Sequence, residues 1–172
     1  MENPIVRIIL DNEEKIDIEL YPNIAPKSVE NFLKLVEEKY FDGVCFHRVI
    51  ENFMIQTGGY YLDGNKLLDK EERETIKGEF KANGFENNLK HTPGVISMAR
   101  TSDMNSGSTQ FFICSASTPH LDGQYAAFGK TVDDESLDAV LRVSKAPTVN
   151  VGAGLTDFPY PPISIKSIRR IK

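Results

Sequence analysis

The sequence predicts a mainly β fold, an antiparallel barrel or sandwich carrying two helices. Three observations point there. Short apolar runs of strand length recur along most of the chain. Only two segments carry helical periodicity. No internal repeat or low-complexity linker divides the 172 residues, so one domain over 1–172 is expected.

The elements follow in order. Ile5-Val6-Arg7-Ile8-Ile9-Leu10 is apolar and β-branched, and Asp11-Asn12-Glu13-Glu14 is turn-like. Ile16, Ile18 and Leu20 then alternate with Lys15, Asp17 and Glu19, which completes a hairpin with one half-buried strand. Ala25 to Tyr40 reads as a helix: Pro26 suits its first turn, and Val29, Phe32, Leu33 and Val36 recur at helical spacing. Val44 to Ile50 and Met54 to Gln56 read as strands broken by Glu51-Asn52. Asp63 to Lys77 is charged and poor in large apolar residues, and is expected as a surface loop with a helical turn at most. Val95 to Ala99 and Gln110 to Cys114 are further strands, and Ala126 to Gly129 follows an Asp-Gly turn. Leu137, Val140 and Leu141 mark the second helix, with Asp133, Asp134 and Glu135 suited to its positive end. Val149 to Pro162 is a Gly/Pro loop, and Ile163 to Ile171 closes the chain as a strand.

Composition excludes several classes. Hydrophobic residues make up 40% and charged residues 26%, which argues against wholesale disorder. Surface scaling predicts a folded area of about 8,500 Å² against roughly 28,000 Å² for the unfolded chain. A core of that size needs neither disulfide nor metal. The net charge of -5 opposes non-specific nucleic-acid binding. No run approaches the ~18 apolar residues of a membrane span. Met1-Glu2-Asn3-Pro4-Ile5-Val6-Arg7 lacks the pattern of a signal peptide. Cys45 and Cys114 sit between apolar neighbours and read as buried free thiols, so a cytoplasmic, reducing location is expected.

Common chemistries find little support. His47, His91 and His120 form no HExxH, and the cysteines lack CxxC spacing, so no metal or other cofactor is expected. Ser106 and Ser108 flank Gly107 without a nucleophile elbow and suit a turn better. Gly152-Ala153-Gly154 precedes prolines rather than a helix and is no phosphate loop.

Three segments remain. In Phe46-His47-Arg48-Val49-Ile50-Glu51-Asn52-Phe53-Met54-Ile55-Gln56 a single arginine stands among aromatics, a methionine and a glutamine. It is either one half of a salt bridge or a fixed cation at the edge of an apolar pocket, oriented by Gln56. In Gln110-Phe111-Phe112-Ile113 alternation puts Gln110 and Phe112 on one face and Phe111 on the other. His120-Leu121-Asp122-Gly123-Gln124-Tyr125 is a turn able to rim a pocket.

Together with Ser97-Met98-Ala99 and Phe128-Gly129-Lys130, these segments resemble the cyclophilin family of peptidyl-prolyl cis/trans isomerases. The motifs stand in the family's order from the first hairpin to Pro161-Pro162-Ile163-Ser164-Ile165, and Ala99-Arg100-Thr101-Ser102-Asp103 looks like the bacterial branch. The resemblance implies a closed eight-stranded antiparallel β-barrel capped by two α-helices, with a hydrophobic proline pocket on its outer face. It implies Arg48 as the catalytic arginine and Gln56 as its brace. Phe53, Met54, Phe112 and Leu121 match the pocket lining. Ala99, Arg100 and Gln110 match the groove for residues before proline. Tyr125 stands where the family often has histidine, and His120 where it often has tryptophan; the substitution at the tryptophan position implies weakened cyclosporin binding. Gln56-Thr57-Gly58-Gly59 leads into a charged stretch rather than a glycine-rich loop, and Ser108-Thr109-Gln110-Phe111 replaces the usual Gly-Ser-Gln-Phe. The implied partners are proline-containing peptides and folding proteins, and a monomer is the default. A non-catalytic proline-peptide binding module or holdase is the alternative, although such a module would not need the arginine.

Overall fold

A computed structural model describes residues 2–172. The first hairpin is β1 (Ile5–Leu10) and β2 (Lys15–Leu20). Then come α1 (Pro26–Glu37), β3 (Val44–Ile50), β4 (Met54–Asp63) and β5 (Lys66–Asp69). β6 (Val95–Met98), β7 (Phe111–Cys114) and β8 (Ala127–Thr131) precede α2 (Asp134–Ser144). The chain ends with β9 (Thr148–Val149), β10 (Phe158–Pro159) and β11 (Ile165–Arg170).

Eight strands pair antiparallel in the order β11-β1-β2-β8-β6-β7-β4-β3. The two ends of that row then meet. Phe46 N donates to Ile163 O at 2.9 Å and Gly43 N to Ile165 O at 2.8 Å, with a bridge between Cys45 and Ser164. The barrel is therefore closed and its strands have no free edge within the ring.

Alternation decides what faces inward. Ile16, Ile18 and Leu20 of β2 are fully buried, as their spacing predicts. Phe32 of α1 packs with Phe41, Phe111 and Phe128, with ring centroids 5.2 to 5.4 Å apart. Each such ring buried contributes roughly 1.5–3 kcal/mol. The accessible surface is 8855 Å², close to the expectation from chain length.

Both helices are fixed by carboxylates at their N-termini. Asp133 caps α2, accepting from Ser136 N at 2.8 Å. α1 has Ala25 at its cap position and borrows a carboxylate from far along the chain. Buried Glu79 accepts from Ser28 N at 2.7 Å, Ser28 Oγ at 2.8 Å and Lys27 N at 3.2 Å. These are the N–H groups that a helix start leaves unpaired.

Several elements differ from expectation. α1 stops at Glu37 rather than Tyr40, because the chain turns through a left-handed Lys39 (φ 59°). Its buried face uses Leu35, with Leu33 only partly covered. α2 likewise buries Ala139, Val140 and Val143 instead of Leu137 and Leu141. The charged stretch is no helical turn. β4 runs on to Asp63 and pairs with β5, after which the chain crosses Tyr40. Lys70 Nζ and Arg73 Cζ lie 5.1 and 4.9 Å from the Tyr40 ring, whose hydroxyl donates to Glu71 O at 2.7 Å. The Gly/Pro segment holds the short β9–β10 pair. Cys45 and Cys114 are buried free thiols, as their neighbours predict.

Candidate active site

The outward faces of β3, β4 and β7 carry Arg48, Gln56 and Phe112, and Ala99 directly follows β6. Arg48 and Gln56 are directly opposed across the β3–β4 ladder, which puts both on one face. Two irregularities make this possible. His47 is an extra residue in β3, and Gly58-Gly59 are extra in β4, between the Phe46–Thr57 and Cys45–Tyr60 pairs. Gly58 has φ 105° and lies against the Thr109 backbone, where a side chain has no room. A Cβ on Gly59 would come within 2.5 Å of Gln110 Nε2, so glycine there lets the Gln110 amide lie against β4.

On this face a second apolar cluster forms outside the barrel: Met54, Phe112, Cys114 and Leu121, joined by Ile50, Phe53, Ala99 and Tyr125. It lines a cavity of about 140 Å³ bordered by Arg48, Gln56 and Arg100. The alternation in β7 holds, with Phe111 in the main core and Phe112 in the cup. A polar row crosses the rim. Arg48 Nη1 lies 3.4 Å from Gln56 Oε1, and Gln56 Nε2 donates to Gln110 Oε1 at 3.1 Å. The Arg48 guanidinium stands 5.8 Å from the Phe53 ring centre. Arg48 is exposed and, among the described residues, forms no salt bridge. Of its two sequence readings, the cation at a pocket edge is the one the geometry supports.

A neighbouring, larger cavity of about 390 Å³ shares Gln56, Ala99 and Arg100 and adds Gln110, Glu72, Arg73 and Thr75. Each nitrogen of the Arg100 guanidinium is engaged by a backbone carbonyl. Its Nη2 and Nε reach Gln124 O at 2.8 and 3.2 Å, Nη1 reaches Thr101 O at 2.9 Å, and the group is sandwiched between Phe80 and Tyr125. It acts as a brace between two loops. His120 lies outside the lining of the cup, exposed, with its ring 5.7 Å from Phe53.

Sequence reasoning did not foresee a buried row behind the cup, in which His91 stands between Asp122 and Ser97. Burial lowers the pKa of His91, against the opposing pull of Asp122. His47 is buried as well, packed 4.8 Å from Tyr60 with Nδ1 unpartnered. Its burial, aided by the Arg48 charge, pushes its pKa down to about 4. The cup thus combines apolar walls, the exposed Arg48 cation and amide groups.

The sequence family described as cyclophilin type peptidyl-prolyl cis-trans isomerase/CLD matches residues 5–170. The chain belongs to this family. The chain is 37% identical to a peptidyl-prolyl cis-trans isomerase of Acinetobacter baylyi, over 92% of its length and 81% of that protein's. It is 38% identical to peptidyl-prolyl cis-trans isomerase A of Dickeya dadantii, over 91% and 80% respectively. A cyclophilin type isomerase of Cryptosporidium parvum, crystallised in the presence of the dipeptide Ala-Pro, superposes with a TM-score of 0.75 at 28% identity. That superposition covers 98% of this chain and 99% of that one. The closed barrel with two helices is the cyclophilin fold, and peptidyl-prolyl cis-trans isomerisation is the activity of this cyclophilin.

Proposed function

We propose that the apolar cup binds the proline ring of X-Pro segments and that Arg48 is the catalytic group. The observation that carries this is an arginine without a carboxylate partner, held by Gln56 at the mouth of a cavity of about 140 Å³.

The chemistry suits a guanidinium. Rotation about an X-Pro bond meets a barrier of roughly 18–20 kcal/mol, because the nitrogen lone pair is delocalised into the carbonyl. In the twisted transition state that conjugation is lost and the prolyl nitrogen becomes a better hydrogen-bond acceptor. A donor aimed at it stabilises the transition state over both ground states. Arg48 carries such a donor, and a charge-assisted hydrogen bond contributes about 1.5–3 kcal/mol. An acceleration of about 10⁵ needs roughly 7 kcal/mol. The rest comes from gripping the ring in the cup of Phe53, Met54, Phe112 and Leu121, and from holding the flanking carbonyls along Ala99 and Gln110 while the bond turns. Gln56 fixes the guanidinium, and Gln110 fixes Gln56. Tyr125 and Arg100 complete one wall, and the open cavity beside them receives residues before proline. No proton transfer is required.

Residues 1–172 act as one domain in this reading, on exposed X-Pro segments of folding proteins. The buried free thiols suit a reducing, cytoplasmic setting. With His120 turned against Phe53, cyclosporin is expected to bind weakly. The test is a titration with a tetrapeptide containing a central Ala-Pro bond, read by NMR, with cis-to-trans exchange measured on the same sample. Acceleration together with shifts at Phe112, Met54 and Leu121 is expected. Shifts confined to another surface would refute the site, and binding at the cup without acceleration would favour a non-catalytic module.

A further inference from the structure

Behind the cup, three side chains stand in a row. His91 Nδ1 is 3.0 Å from Asp122 Oδ1, and His91 Nε2 is 2.9 Å from Ser97 Oγ. The order and spacing are those of a hydrolytic serine, histidine and aspartate. Ser97 is fully buried and His91 is 1% exposed, so no substrate carbonyl reaches this hydroxyl. The row serves another purpose, and its contacts show which.

The contacts of His91 reach the cup and the segments that flank it. Its ring stacks on Phe112 at 5.9 Å and 18°. Its backbone N donates to Asp122 Oδ1 at 2.7 Å, beside Leu121. Its carbonyl accepts from Thr118 N at 2.9 Å, at the start of the short turn Pro119–Leu121. Ser97 lies directly opposite Phe112 in the β6–β7 ladder. With the ring neutral, Nδ1–H donates to the carboxylate and Nε2 accepts from the serine hydroxyl. The ring is thereby held at both ends, and its face is presented to Phe112.

We infer that His91 is a positioning residue for the reaction: locked between Asp122 and Ser97, it sets Phe112 against Leu121 and so fixes the shape of the proline cup. The inference rests on reading that cup as the proline subsite. Among the described residues His91 makes no hydrogen bond to Arg48, Gln56 or Gln110, so the donor row is left alone when His91 changes. Its loss should therefore weaken substrate binding more than it slows the turnover step.

His91→Asn tests this. The asparagine amide takes the place of Nδ1 and keeps the link to Asp122, while no ring remains against Phe112. For the Ala-Pro tetrapeptide, KM is expected to rise about three- to tenfold, with a smaller fall in kcat. A purely structural role would lower the thermal midpoint and the active fraction, and would leave KM as it was. Ser97→Ala removes one hydroxyl, releases the Nε2 end, and decides the matter if His91→Asn does not fold. A KM rise of about twofold is expected there. Wild-type KM in the folded variants would overturn the inference. Peptide-induced NMR shifts at Phe112 and Leu121 of the unchanged protein separate the two failures: without them the proline subsite itself is misassigned.

Discussion

Arg48→Ala separates a catalytic cation from a structural one. The side chain is exposed, pairs with no carboxylate among the described residues, and makes one long contact of 3.4 Å to Gln56 and one of 5.8 Å to the Phe53 ring. A cation over an exposed ring contributes about 0.5–1 kcal/mol, and the long amide contact little more. Stability should therefore fall by no more than about 1 kcal/mol, a shift of roughly 2–4 °C in Tm for a chain of this size. The transition state loses a charge-assisted hydrogen bond of about 1.5–3 kcal/mol, or roughly 10- to 150-fold in kcat/KM. Exchange of the Ala-Pro tetrapeptide and thermal unfolding of the same preparation measure both. Arg48→Lys restores charge without the planar fork that Gln56 braces, and should recover only part of the rate. A rate loss that tracks a large drop in Tm would refute the reasoning, as would an unchanged rate.

Other perturbations have equally definite outcomes. His47 has its pKa lowered from 6.5 to about 4, so the unfolded chain binds more protons between those values. Stability is fully present above about pH 6.5 and falls toward pH 4, by about 3 kcal/mol from this residue. His47→Leu should flatten that acid limb in urea titrations, and an identical limb would count against it. Glu79→Ala strips the N-terminus of α1 of its borrowed cap and should cost about 1–3 kcal/mol by urea unfolding; a cost within error would show the contacts to be idle. Gly59→Ala should displace the Gln110 amide and reduce kcat/KM several-fold at nearly unchanged Tm, which activity and calorimetry together check.

Much of the site was legible because its determinants are local. Arg48, Met54 and Gln56 lie on two adjacent strands with Phe53 in the turn between them, and alternation alone splits Phe111 from Phe112. What could not be read depends on distance along the chain. Glu79 caps a helix 51 residues earlier, and Asp122 meets His91 across 31. Periodicity carries no trace of such hydrogen bonds, so nothing local to His91 named its partners. β5 was hidden for another reason: its Leu67 and Leu68 are a short apolar pair among charges, too few to signal a strand. Barrel closure was supplied by resemblance, because antiparallel pairing of β3 with the C-terminal segment leaves no local mark.

The two phenylalanines of β7 stand back to back, one ring in the interior and the other in the ligand's seat. Insertion or deletion of one residue before them would exchange the two environments, drawing the barrel's filling outward and pushing the seat's wall within. Evolution can therefore alter this strand by substitution but not by slippage. Fold and ligand preference share one reading frame.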